Sequence, residues 1–188
     1  MLLRSTDTGG APTDFRILVD TENAGVSAFN QFQFTGALGD YDVEVYDSSG
    51  TTLQQTITGL SDEATITITA GGGIYELRVF PAAANGFNRI QFDNGGDKDK
   101  LLEVRNWGDV AWSTMEDAFY GCSNMTTVDA SDTLVLIASM FRMFRDCISL
   151  TTLDVSGFDT ANVTNMSSMF NDCSGLTALD VSGFYTAN

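Results

Sequence analysis

A mainly β protein with short helices is predicted for this chain: an N-terminal β-sandwich of the immunoglobulin-like kind running into a short solenoid of stacked repeats. Three observations predict it. Leu102, Trp107, Trp112, Met115, Phe119 and Cys122 recur fifty-one positions later as Leu153, Phe158, Val163, Met166, Phe170 and Cys173. A copy between them places Met140, Phe144, Cys147 and Leu150 twenty-five residues after Met115, Phe119, Cys122 and Met125, and a fourth begins with Leu176 and Leu179. Apolar residues at fixed offsets with a period in the twenties mark units that bury their faces only against their neighbours. In front of the repeats the apolar residues instead alternate with period two, and helical periodicity is absent there.

Taken in order, residues 1–13 are polar and rich in Thr and Gly, and read as a flexible arm or a docking strand. Over 14–94 short alternating runs follow one another. Tyr41, Val43 and Val45 alternate with Asp42, Glu44 and Tyr46; Ile66 and Ile68 alternate with threonines; Tyr75, Leu77 and Val79 alternate with Glu76, Arg78 and Phe80. Similar runs lie at 15–19, 29–34, 53–57 and 88–92, most of them separated by Gly-containing or polar breaks. Short strands at roughly ten-residue spacing read as an antiparallel sandwich.

Residues 95–100 are a joint, polar and short, so the sandwich is expected to lie against the first repeat. Residues 101–188 hold three and a half repeats. Each reads as a strand (TTLDV, 151–155), a turn (SGFDTAN, 156–162) and a short helix (163–173), in which Met166, Met169, Phe170 and Cys173 share one face. Phe119, Phe144 and Phe170, then Cys122, Cys147 and Cys173, then Leu153 and Leu179, are the predicted structural ladder.

The run F-x-D-C-x-x-L-T-x-L-D-V-S-G-F (144–158), continued by D-T-A-N-V-T-N-M-S-S-M-F-N-D-C (159–173), resembles the BspA-like leucine-rich repeats of microbial surface proteins. The lead-in over 89–125 is similar to the junction that follows a PKD-like sandwich in such proteins, although YDVEVYDSSG stands where a W-G-D-G-type turn is expected. The resemblance implies display and adhesion rather than an active site, with a host surface protein or glycan as partner.

The net charge is −16, split evenly between residues 1–100 and 101–188. Such a surface repels phosphate backbones, so no nucleic-acid partner is expected. No apolar run is long enough to span a membrane, and Met1–Arg4 leads directly into a polar stretch rather than a secretory leader. Either a leader was removed ahead of this sequence or the protein leaves its cell by another route, of which release inside a virus particle is one.

Histidine is absent, which removes the commonest general base and the Ser-His and Cys-His pairs. The cysteines occupy one repeat position each, a pattern of buried thiols rather than of disulfides or zinc. Asp129, Asp154 and Asp180 repeat in register as a candidate acidic strip, read either as a cation site or as turn acids serving backbone N–H groups. Asp93, Asp97 and Asp99 lack the spacing of a calcium loop. No cofactor or metal is expected, and no enzyme activity; a carboxylate hydrolase would need two acids converging in a cleft.

The phrase GFYTAN (183–188) repeats GFDTAN (157–162) without the continuation, which leaves an uncovered repeat edge. Either further repeats follow in the native gene, or protein partners cover this edge, by self-association or by assembly into something larger. The sequence favours a phage virion accessory, a capsid decoration or tail-fibre component, with a bacterial cell-surface or secreted adhesin as the alternative.

Overall fold

The computed structural model describes residues 14–82, 86–130, 132–135 and 139–185. The expected arm at 1–13 and the end of the last GFYTAN phrase lie outside them. Period-two alternation becomes strands β1 (Phe15–Asp20), β2 (Gln31–Gln33), β3 (Asp40–Asp47), β4 (Leu53–Ser61), β5 (Thr65–Thr67) and β6 (Ile74–Pro81). In β1, β3 and β6 alternate side chains turn inward, as the pleat requires: Phe15, Ile17 and Val19, Tyr41, Val43 and Val45, and Leu77 and Val79; β4, at the sheet edge, buries none of its residues. The expected strand at 88–92 does not form. Its backbone is divided among several partners: Arg89 bridges Leu38, Gln91 N–H reaches Thr35 O and Phe92 N–H reaches Ala118 O.

Five further strands follow: β7 (Leu101–Asn106), β8 (Thr127–Val128) and β10 (Thr152–Leu153) complete the main sheet, and β9 (Leu134–Val135) pairs with β11 (Phe158–Asp159) in a sheet of two. The main sheet has seven strands in the order β10-β8-β7-β1-β6-β3-β4. Strand β7 is its hinge of direction, antiparallel to β1 on one side and parallel to β8 on the other. One sheet therefore runs from the alternating half of the chain into the repeats. A two-stranded antiparallel sheet, β2 with β5, adds Phe32 and Ile66 to the same core.

The core crosses the joint as well. Phe15 stands 6.5 Å from Trp107 and 5.1 Å from Trp112, and Phe87 stands 5.7 Å from Trp112. The two indoles substitute for Phe158 and Val163 of the later repeat and fill the space between the first repeat and the sheet.

The expected helices are corrected by the structure. Among the described residues the one helical element is a single 3₁₀ turn at Lys98–Lys100, and 163–173 is a row of consecutive β-turns. Met169 N–H bonds Met166 O, Asn171 N–H bonds Ser168 O and Cys173 N–H bonds Phe170 O, all three residues apart. Left-handed residues interrupt any helix, since a helix cannot absorb positive φ. They recur in register: Asp117, Arg142 and Ser168 at φ 55°, 51° and 56°, and Gly121, Asp146 and Asp172 at 80°, 57° and 58°. The expected turn 156–162 in fact contains β11, and the strand expected over 151–155 contracts to Thr152–Leu153. No helix is long and apolar enough to cross a membrane among the described residues.

Candidate binding surface

Of the predicted ladder residues, Phe119, Phe144, Cys122, Cys147 and Cys173 are buried in the repeat stack, and Phe170, Leu153 and Leu179 are partly exposed against it. The Phe119 and Phe144 rings stack at 5.4 Å and 9°, and Phe144 and Phe170 at 6.1 Å and 6°. A second aromatic row, whose members are in register in the sequence but were not among the predicted ladder, runs from Trp107 through Phe158 to Phe184. The thiols are reduced and buried. Cys147 Sγ donates to Phe119 O at 3.1 Å and Cys173 Sγ to Phe144 O at 3.0 Å, each reaching back to the preceding repeat. Burial pushes all three thiols up, that of Cys173 to about 11 and the other two further, so the thiolate needed for metal or redox chemistry is disfavoured. Leu153 and Leu179 are half-buried at the rim of the core.

The acids Asp129, Asp154 and Asp180 form an exposed row, one per repeat. Asp154 Oδ1 accepts from Ser156 N–H at 2.9 Å, and Asp180 Oδ1 from Ser182 N–H at 2.9 Å. The Ser156 and Ser182 bonds hold these two carboxyls below the ordinary range. They are turn acids that serve backbone groups.

The joint is held by Asp97, considered in the sequence only as a possible calcium ligand, and by Lys100. Asp93, Asp97 and Asp99 diverge: the Asp93 side chain is 59% exposed, Asp97 is fully buried, and Asp99 turns to Lys98 and Ser123. Asp97 accepts from Ser27 N–H at 3.0 Å, Ser27 Oγ–H at 2.5 Å and Gln33 N–H at 2.8 Å. Beside it the fully buried Lys100 Nζ donates to Ser27 O, Ser27 Oγ, Ala28 O and Gln31 O at 2.8–3.1 Å. Its ammonium thus occupies an oxygen cage of the kind that otherwise holds a cation. Burial pulls Lys100 below its usual value while Asp97 and Asp20 pull it back. Gly25 stands against this cage, where a Cβ would collide with Asp97 Oδ1. The legible signal was the polar run itself, DNGGDKDK.

The other buried carboxylates also have cationic partners. Asp14 meets Arg16 at 2.7 Å, Glu76 meets Arg78 at 2.7 Å and Arg105 at 2.9 Å, and Asp117 meets Arg142 at 2.8 Å across two repeats. Among the described residues no group of three His, Cys, Asp or Glu side chains is placed to hold a metal.

The two ends of the stack differ. Before the first repeat, Phe92, Asp93 and Asn94 donate their N–H groups to Ala118 O, Asp117 O and Tyr120 O, and Gly95 N–H closes a turn on Phe92 O. Asp93 and Asn94 are left-handed, like the residues of the turn rows. Residues 92–95 thus take the place of a preceding row and cap the stack. Gly121 fits under that cap: it has φ 80°, and a Cβ there would meet Asn94 Oδ1. The far end is described as far as Tyr185. Phe170, Cys173, Leu176, Thr177, Ala178 and Leu179 line a cavity of about 320 Å³ facing outward, and residues 176–180 make no backbone bond to the preceding strand.

These features define a β-rich protein of stacked 25- to 26-residue units, seated on a sheet and capped at the sheet side. The family described as Mycoplasma protein of unknown function, DUF285, matches residues 92–188, and the chain belongs to that family. The match begins at Phe92, the first residue of the cap, nine residues before the repeats begin in the sequence reading. No curated protein and no solved structure matches the chain.

Proposed function

We propose that this chain is a non-enzymatic, surface-exposed structural and recognition protein that mediates assembly or attachment, most simply as a phage virion accessory such as a capsid decoration or tail-fibre component. On this reading the repeats are leucine-rich repeats of the BspA-like kind, forming a short solenoid carried on an immunoglobulin-like base. The supporting observation is the shared strand β7: it belongs to the sheet and to the repeat stack at once, so the repeats project as a rigid extension of the base. A carboxylate hydrolase is disfavoured by the neutralisation of Asp14, Glu76 and Asp117 by arginines, because a catalytic acid needs a group left over for substrate.

An adhesin on a bacterial cell surface is the second reading, and the family's description from Mycoplasma favours it. An antiserum raised against the chain separates the two: labelling of purified virus particles supports the first, labelling of intact source cells the second. Labelling confined to the cell interior overturns both.

A further inference from the structure

Native sheets guard their free edges, and the small sheet of this fold is guarded by side chains. On β2, Asp97 accepts from Gln33 N–H and Lys100 Nζ donates to Gln31 O. On β5, Gln55 Nε2 donates to Thr67 O at 3.0 Å, and Gln55 Oε1 accepts from Thr69 N–H just beyond the strand at 2.9 Å. Strand β4 is the edge of the main sheet and has no such seal along most of its length. Over 53–58 its backbone groups bond only to β3 among the described residues; Gly59 N–H alone is taken, by Asp42 Oδ1. Residues 55–57 pair with β3 in continuous register, which leaves a regular run at the centre of the edge. Charge is missing too: 48–61 holds neither acid, base nor proline, in a chain of net charge −16. Because β4 lies between β3 and β5, this edge does not depend on where the chain begins or ends.

The make-up of the edge decides what fits it. Two copies of so acidic a chain repel one another over most approaches, but along β4 neither brings a carboxylate. The centre of the strand also reads the same in both directions, Thr56-Ile57-Thr58. A twofold axis at Ile57 sets each Ile57 opposite its counterpart. It sets the exposed Thr56 of each copy opposite the exposed Thr58 of the other, an antiparallel register of favourable Thr–Thr pairs. Asp62 and Glu63 then stand opposite Thr52 and Thr51 of the second copy rather than opposite acids. We propose that β4 is a docking edge for β4 of a second copy, joining two seven-stranded sheets into one. Such an interface uses the same patch on both subunits and closes on itself, with main-chain bonds for affinity and side-chain pairs for register. The inference deepens the assembly reading above and rests on it for its purpose, but it is read in solution and so fails separately from the question of surface location.

The test uses the whole chain. Sedimentation velocity from micromolar to millimolar concentration is expected to show a monomer–dimer equilibrium, with amide exchange slowed at least tenfold at alternate residues of β4 in the dimer. Thr56→Lys combined with Thr58→Lys sets ammonium against ammonium across the seam. The same pair moves the net charge from −16 to −14, which by itself favours association, so a loss of dimer reports the seam. At least tenfold weaker dimerisation is expected, with the circular dichroism and melting of the monomer unchanged. Thr56→Glu combined with Thr58→Glu is expected to be monomeric alone and to dimerise when mixed with the lysine variant. A chain that stays monomeric overturns the proposal, whether its β4 amides exchange freely or are protected by the chain's own residues. So does a dimer that the lysine pair leaves intact, since another surface then joins the copies, and so does a mixture of the two variants that fails to dimerise.

Discussion

Lys100 gives the joint its rigidity with one ammonium ion. Three of its four oxygen acceptors come from the loop that precedes β2 and the fourth is Gln31 O at the start of β2, and Asp97 supplies the balancing charge, so a segment that reads as a polar linker is fixed against the base. Removing one member of a buried charge cluster leaves the other uncompensated, at a cost of about 3–5 kcal/mol. Lys100→Met is expected to lower the unfolding free energy by that amount in urea titration; a change below about 0.5 kcal/mol, the range of ordinary surface substitutions, would show that the cage is not a stabilising device. The thiols supply a second residue-scale prediction. Because burial disfavours the thiolate, native protein at pH 8 is expected to react slowly with an electrophilic thiol-reactive reagent, Cys173 first, since it is 7% exposed and Cys122 and Cys147 are 0%. Urea should release all three. Equal native rates at the three positions would contradict the stacked column.

At the level of elements, the aromatic ladder carries the stack. Phe144 lies between Phe119 and Phe170 and is fully buried. Phe144→Ala opens a cavity that the neighbouring rows cannot close, and is expected to cost about 3–5 kcal/mol, against a much smaller loss for the half-exposed Phe170; denaturant midpoints of the two variants test the order. The same rows show why the sequence was legible in part. Strands β1, β3 and β6 were readable because alternation reports a buried face directly. The turn rows were misread as helices because apolar residues at i, i+3, i+4 and i+7 also fit consecutive turns that each advance three residues. The distinguishing signal was the repeated Asp, Ser and Gly, residues that enter the left-handed region or favour turns. Arg142 gave no such signal: it adopts φ 51° while its guanidinium makes a two-point contact with Asp117, a partnership one repeat away in sequence. The buried ladders were visible from their period, whereas the cap at 92–95 was not, because it mimics a row in backbone conformation and shares little of the repeat phrase.

For the molecule as a whole, the sheet and the core both pass through β7 and the Trp pair. Trp107 and Trp112 lie where base and repeats meet, so their fluorescence and the far-ultraviolet dichroism of the entire chain are expected to change together in one unfolding transition. Two separated transitions would mean that the base and the stack fold independently. Acidity acts on the same equilibrium. Ser49 and Thr52 hold the Asp47 carboxyl low; for Asp99, burial pushes upward but the bonds from Lys98 and Ser123 prevail; Asp154 and Asp180 are held low by their turn serines. A carboxyl whose folded pKa lies below its unfolded value stabilises the fold above the ordinary range and loses that contribution as pH falls through the folded value. The melting temperature is thus expected to decline below about pH 4; a flat or rising profile would show that these bonds do not stabilise the fold.

The turn rows are bonded in one direction, each donating to the carbonyls of the next, as Met115 N–H does to Ser139 O and Met140 N–H to Asn165 O. This has a consequence for inheritance. A tandem duplication of one 25- or 26-residue unit inserts a row that accepts from the row beneath it and donates to the row above, so the new copy meets the needs of both neighbours without any compensating substitution. The cap sits at the base and is untouched by such an event. Reach away from the base is therefore a property that a lineage can lengthen or shorten by copy number alone.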